Sequence, residues 1–239
     1  VRLKLNYSRY IKNEQKMNAW SYSSLKTFQQ CPKKYYHLKV VKDVKDDGSE
    51  ATIYGKELHK AAEDYVRDNV PIPPQFAFIQ KTIDALKNIP GKKHTEIELG
   101  VSNKGGRLNP CGFNDKNAWY RGIADLLIIN GNKGYLVDYK SSKNAKYADL
   151  KQLDLLAAAV FIHFPELTSL KSALIFVVSN EFVNKEHSSM HKLAYFEHVR
   201  FDLERLETAM KTGVWNAVSS PLCGWCPVKT CHNYRERRK

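Results

Sequence analysis

The feature that most constrains this chain is a pair of apolar segments, IADLLIIN (Ile123–Asn130) and KGYLVDYK (Lys133–Lys140), meeting at the turn residues Asn130, Gly131 and Asn132. Both are rich in Ile, Leu, Val and Tyr, and a short Asn/Gly turn between two such runs signals a β-hairpin. Side chains alternate across a strand, so Asp138 and Lys140 share one face while Tyr139 takes the other. Asp125 lies on the first strand. Two carboxylates and an ammonium on neighbouring strands suit a divalent cation and a phosphate. The carboxylates are hard oxygen ligands for Mg2+ or Mn2+, and the lysine neutralises charge on phosphorus-bound oxygens or helps deprotonate an attacking water. That is the chemistry of phosphodiester hydrolysis. Taken alone, the Asp-x-Lys triplet is common and reads more often as an exposed same-strand ion pair.

Other segments carry related signals. From Glu50 to Asp68, Ala51, Tyr54, Leu58, Ala61, Ala62 and Tyr65 recur at helical spacing, which sets His59 at the border of a buried stripe. A histidine there is either a satisfied core residue or a ligand facing a cleft, and a neutral imidazole added to carboxylates suits Mn2+ better than an all-oxygen site does. A breaker-poor stretch from Tyr147 to Phe164 reads as a helix carrying Gln152. Glu96 and Glu98 share one face of a strand, open to two readings: a further acid of the site, or surface exposure.

In order along the chain, WSYSSLKTFQQCPKKYYHLKV, GKELH, RGIAD, VDYKSSK and KQLDLLAAA resemble the PD-(D/E)xK nuclease superfamily, in its RecB-type and CRISPR-associated exonuclease branch, from Trp20 to Tyr234. The resemblance implies an α/β restriction-endonuclease-like core, a central mixed sheet flanked by helices, with a helical N-terminal elaboration. It implies metal ligation by His59, Asp125 and Asp138, a role for Lys140 at the phosphate, and a positioning role for Gln152; the Tyr139 main-chain carbonyl is a further candidate ligand. Leu156 stands where the family usually has tyrosine, a departure from its pattern.

Five cysteines are present, and Cys223, Cys226 and Cys231 form C-x2-C-x4-C. With no apolar span of membrane length and no signal peptide, the expectation is a reducing cytoplasm, where clustered cysteines serve as metal ligands more often than as disulfides. The resemblance supplies Cys31 as fourth partner and implies a 4Fe-4S cluster closing the chain ends on one another. Its last spacing is commonly one residue longer than here, and a Zn2+ site on the same four cysteines is the alternative. Cys111 reads as an ordinary thiol.

With 38 basic and 25 acidic residues the formal excess is +13, which favours a polyanionic partner; no basic membrane anchor or lipidation motif is evident. Lys33, Lys34 and Tyr35 interleave charge and aromatic rings, suited to phosphates and bases or to a solvated helix face. At 43% hydrophobic content the chain can bury one sizeable core. The expected organisation is a basic lead-in over 1–19, then a single domain over 20–239: a helical part over 20–90, a catalytic α/β core over 95–200, and a C-terminal helix with the cysteine segment over 201–239. GGRLNPCGFND is expected to be a loop, SALIFVVS a buried strand, and Phe201 to Thr212 a helix. No Walker-type loop is present, so a separate helicase or recombination protein is a candidate partner. The expectation is a metal-dependent DNA exonuclease acting on single-stranded DNA in phage or bacterial replication, recombination or repair. The alternative is a non-catalytic DNA-binding metal protein.

Overall fold

A computed structural model describes residues 19–46, 48, 50–142 and 144–235, the side chain of Tyr147 excepted. The basic lead-in up to residue 18 and the terminal Arg237, Arg238 and Lys239 lie outside the described residues. The chain divides into two compact units, 48–198 and a discontinuous one of 1–47 with 199–239.

The unit over 48–198 is built on a six-stranded sheet of order β2-β1-β3-β4-β5-β6. Its strands are β1 (Lys92–Lys104), β2 (Arg107–Cys111), β3 (Ala118–Asn130), β4 (Lys133–Lys140), β5 (Ser169–Phe176) and β6 (Glu181–Ser188). Neighbours run antiparallel except β4 and β5, which are parallel. That pair is joined by helix α5 (Lys151–His163), as a parallel connection requires a crossover. The β3–β4 hairpin closes through Gly131 and Asn132, with Gly131 at φ 59, the conformation a two-residue turn needs in its first position.

The segment GGRLNPC, expected as a loop, pairs with β1 as strand β2. Gly105 and Gly106, at φ 60 and 82, form the turn, and main-chain pairing proceeds despite a polar sequence because Leu108, Asn109 and Pro110 need only oppose Asn103, Ser102 and Val101. Helix α5 also starts later than Tyr147. Asn144 caps a separate 3-10 turn at Ala145–Tyr147, and Asp149 accepts from the Lys151 amide, resetting the start.

Helices α3 (Glu50–Asp68) and α4 (Gln80–Lys87) cover one side of the sheet. Leu58, Ala62, Phe76, Ile79 and Ile83 pack there with Leu126, Ile128, Val137, Tyr139 and Ile175. The run from Leu153 to Ile162 in α5 is buried without a break, which explains its weak amphipathic pattern. Asp154 within it is 2% exposed and lies 2.7 Å from Lys185 Nζ and 3.1 Å from His198 Nδ1. Short helix α6 (Lys192–Glu197) follows the sheet.

The other unit contains α1 (Tyr22–Gln30), α2 (Pro32–Tyr35) continuing into a π-helical turn at Tyr36–Val41, and α7 (Arg200–Thr212). Ser21 and Ser24 form a reciprocal cap on α1, and Gly213 in the left-handed conformation ends α7. Gln29 Nε2 donates to Asp202 at 2.6 Å, and Tyr35 stacks on Trp215 with centroids 6.0 Å apart.

Candidate active site

The hairpin pairing of β3 and β4 ends at Leu126 with Val137. One residue past that last pair stand Asp125 and Asp138, where the strands part. Alternation along β4 does what the sequence dictates: Tyr139 enters the core beside α3, while Asp138 and Lys140 meet α5. Asp138 is 3% exposed. Lys140 Nζ lies 2.6 Å from Asp138 Oδ2 and donates to Gln152 Oε1 at 2.9 Å, while Gln152 Nε2 donates to Asp138 Oδ1 at 2.5 Å. Gln152 therefore bridges acid and amine, holding both in one orientation.

Asp125 faces a different set. Its Oδ2 accepts the Tyr139 amide at 2.6 Å, and its Oδ1 lies 3.2 Å from His59 Nδ1. The His59 ring stands edge-on to Tyr139, centroids 5.9 Å apart. One turn earlier on α3, a Cβ on Gly55 would fall 3.0 Å from Ser141 Oγ. The glycine lets the helix carrying His59 approach the chain leaving β4.

Glu96 completes the group. It has φ 45, uncommon and strained for a non-glycine residue, and its strand pairs on either side of it, Thr95 with Leu126 and Ile97 with Ala124, while skipping Glu96 itself. His59, Glu96 and Asp125 each offer a ligand atom, all within 4.8 Å of one another. Among the described residues no other histidine, cysteine or acidic trio reaches that spacing. The sequence pairs Glu96 with Glu98 on one face and cannot choose between them; the local break in the strand does so, and Glu98 stays exposed.

The electrostatics follow from three carboxylates crowded in a partly dry setting. Burial first, then the charges of Asp125, Glu63 and Asp138, push Glu96 up to about 7 against the opposing pull of His59. Burial and the neighbouring Asp125 raise Asp138 to about 6 although Lys140 opposes the shift. Burial pulls His59 down, but its bond to Asp125 and the surrounding acids reverse that, so its net shift is upward. An excess of negative charge that raises its own pKa values is relieved by a cation. The donor set of oxygens with one imidazole fits Mg2+ or Mn2+.

The cysteines belong to the unit of both chain ends. Cys31 Sγ accepts the Val218 amide at 3.4 Å, and Cys223 Sγ lies 3.8 Å from the Val218 carbonyl and accepts the Ser220 amide at 3.3 Å. The amides of Cys226 and Cys231 bond to the carbonyls of Cys223 and Val228. Cys31 is thus brought to the C-terminal segment across 187 positions. Among the described residues no three cysteine sulfurs come within 4.8 Å of each other, a span already wider than the ~3.8 Å separation implied by Zn–S bonds of about 2.3 Å. In the same unit Lys33 and Lys34 are half-buried, and Lys34 lies 4.0 Å from Asp46. Tyr35 is 7% exposed, its ring enclosed by Trp215 and Phe28. The ring is therefore a packing group and is not open for stacking.

A mixed sheet flanked by helices, parting around two acids and a lysine, is consistent with the restriction-endonuclease-like fold. The family model described as the PD-(D/E)XK nuclease superfamily matches residues 19–95, a span that includes His59 and stops before Asp125, Asp138 and Lys140. The match and the geometry of the later residues are therefore separate observations. No curated protein matches the sequence. A solved structure described as "Crystal structure of SSO0001" is 12% identical, with 95% of this chain and 93% of that chain covered at a TM-score of 0.40. No helix among the described residues is long and apolar enough to cross a membrane.

Proposed function

We propose that this protein is a divalent-metal-dependent deoxyribonuclease that hydrolyses phosphodiester bonds by attack of water. The observation that carries the reading is the meeting of His59, Glu96 and Asp125 next to the Asp138–Lys140–Gln152 ring. Asp125, Asp138, His59 and Glu96, with the Tyr139 carbonyl, would hold the ion. When bound, Mg2+ or Mn2+ polarises the phosphate and lowers the pKa of coordinated water. Lys140 donates to a phosphate oxygen or assists removal of the water proton, and Gln152 keeps its Nζ beside Asp138. Tyr139, through its amide, fixes the rotamer of Asp125.

The finer reading is exonucleolytic digestion of single-stranded DNA in phage or bacterial replication, recombination or repair, alongside a separate motor protein. Its support is the motif order of the sequence and the +13 charge. We extend the proposal to a 4Fe-4S cluster on Cys31, Cys223, Cys226 and Cys231, supported by the approach of Cys31 and Cys223 to the same residue, Val218. Zn2+ is its competitor.

The test is end-labelled single- and double-stranded DNA incubated with Mn2+ or Mg2+, using wild type, Asp138→Ala and Lys140→Ala. Metal-dependent cutting lost in both variants is expected; DNA binding without cutting in wild type replaces the enzyme with a binding module. Product lengths read the mode and polarity. Anaerobic purification is expected to yield a brown protein that loses its colour on Cys226→Ser, whereas a colourless protein containing zinc decides for Zn2+.

A further inference from the structure

We infer that Arg121 holds a backbone phosphate of the nucleic acid on the open stretch of sheet beside the acidic site, an assignment that rests on the nuclease reading above. Arg121 precedes Asp125 by four residues on β3, a distance of about 13 Å at roughly 3.3 Å per residue. Its direction follows from its neighbours. A Cβ on Gly122 would lie 2.7 Å from the Leu156 methyl of α5, and Tyr120, 1% exposed, packs against Phe196. Gly122 and Tyr120 thus face the α5 side of the sheet. Arg121 and Ile123 alternate with them and face the other side, on which α3 brings His59 to Asp125. Ile123, between Arg121 and Asp125, is 40% exposed, so the stretch joining them is open to solvent.

The arginine is held in place without being neutralised. Its guanidinium lies over the Phe113 ring at 5.7 Å, and Nη2 makes one long bond, 3.4 Å, to the Asp115 carbonyl. Among the described residues Nε, shielded from water, has no partner. Among the described residues no carboxylate oxygen lies within 4.0 Å of it, although Glu98 sits opposite Ile123 on the adjacent strand. A guanidinium carries five donors, and among the described residues its terminal nitrogens make only that one long bond, which keeps donors free for a phosphate oxygen. Arginine is the side chain suited to that acceptor. A separation of about 13 Å along β3 keeps this phosphate within a few nucleotides of the scissile one. So placed, Arg121 contributes binding and register.

The test is equilibrium binding of fluorescently labelled single-stranded and duplex oligonucleotides to the full chain over a KCl series, for wild type, Arg121→Gln and Arg121→Lys. Loss of one phosphate contact lowers the slope of log K against log[salt] by about 0.7 for a single strand or about 0.9 for a duplex. Arg121→Gln is expected to show that drop with several-fold weaker binding at moderate salt, whereas Arg121→Lys, keeping the charge, retains the wild-type slope. A wild-type slope in Arg121→Gln, or an equally lowered slope in Arg121→Lys, overturns the assignment. Cleavage does not enter this measurement, so an enzyme that fails to cut sinks the nuclease reading and leaves the slope comparison to decide on Arg121.

Discussion

Replacing Gln152 by leucine removes two hydrogen bonds at once, to Lys140 at 2.9 Å and to Asp138 at 2.5 Å, while keeping the volume of the side chain and the helix that carries it. Each bond involves a charged partner, a class worth about 1.5–3 kcal/mol. The loss is not their sum, because Lys140 keeps its 2.6 Å pairing with Asp138 and can partly rehydrate. What disappears is the fixed direction of the ammonium. A loss of ~1.5–3 kcal/mol in transition-state stabilisation corresponds to a fall of about 10- to 150-fold in kcat at ~1.4 kcal/mol per decade. KM for DNA is expected to change little, since Gln152 contacts residues of the site rather than a distant phosphate. Single-turnover cleavage of end-labelled DNA in saturating Mn2+ measures the step directly. Gln152→Glu is the companion: it can still accept from Lys140 but cannot donate to Asp138, and it adds a fourth carboxylate. A Gln152→Leu enzyme within twofold of wild type would refute the positioning argument.

Two further outcomes follow from the same structure. Asp154 is buried among Lys185, His198 and His187, but Lys185 and His198 are partly exposed and can turn to water when it is removed. Asp154→Ala is therefore expected to cost less than the ~3–5 kcal/mol of a fully enclosed pair, about 2–3 kcal/mol, and to lower Tm by roughly 5–10 °C in a thermal melt; an unchanged Tm contradicts it. The second concerns pH. Glu96 and Asp138 have folded-state pKa values raised to about 7 and about 6, from 4.5 and 3.8. Their contribution is thus fully present below the unfolded values and lost as pH rises through 6 to 7. A divalent cation favours the charged forms, so the Tm gained on adding Mn2+ should grow between pH 5 and pH 8. A gain independent of pH would mean that the ion binds elsewhere.

Much of the site was legible in the sequence because its residues sit on strongly periodic elements. The β3–β4 hairpin announces itself through β-branched runs and an Asn-Gly turn, and alternation then dictates that Asp138 and Lys140 part company with Tyr139. The stripe of α3 places His59 at its border, and the helix found spans Glu50–Asp68 as the spacing predicts. What was not legible depends on partners distant in sequence. The left-handed backbone of Glu96, which sorts it from Glu98, arises where β1 skips a pair with β3. Strand β2 is polar and rich in turn residues, and only its place beside β1 makes it a strand. β6, with its charged and polar residues, shows no apolar alternation, yet it supplies the Lys185 that pairs with Asp154. Asp154 itself hides in an apolar helix whose pattern names no partner.

The most direct measurement is the location of Mn2+ by anomalous scattering in crystals of the wild-type protein soaked in the ion. A peak is expected in direct coordination contact with His59, Glu96, Asp125 and Asp138, near Lys140. A well-ordered site with no peak there, or a peak bound only by residues outside this group, would contradict this expectation.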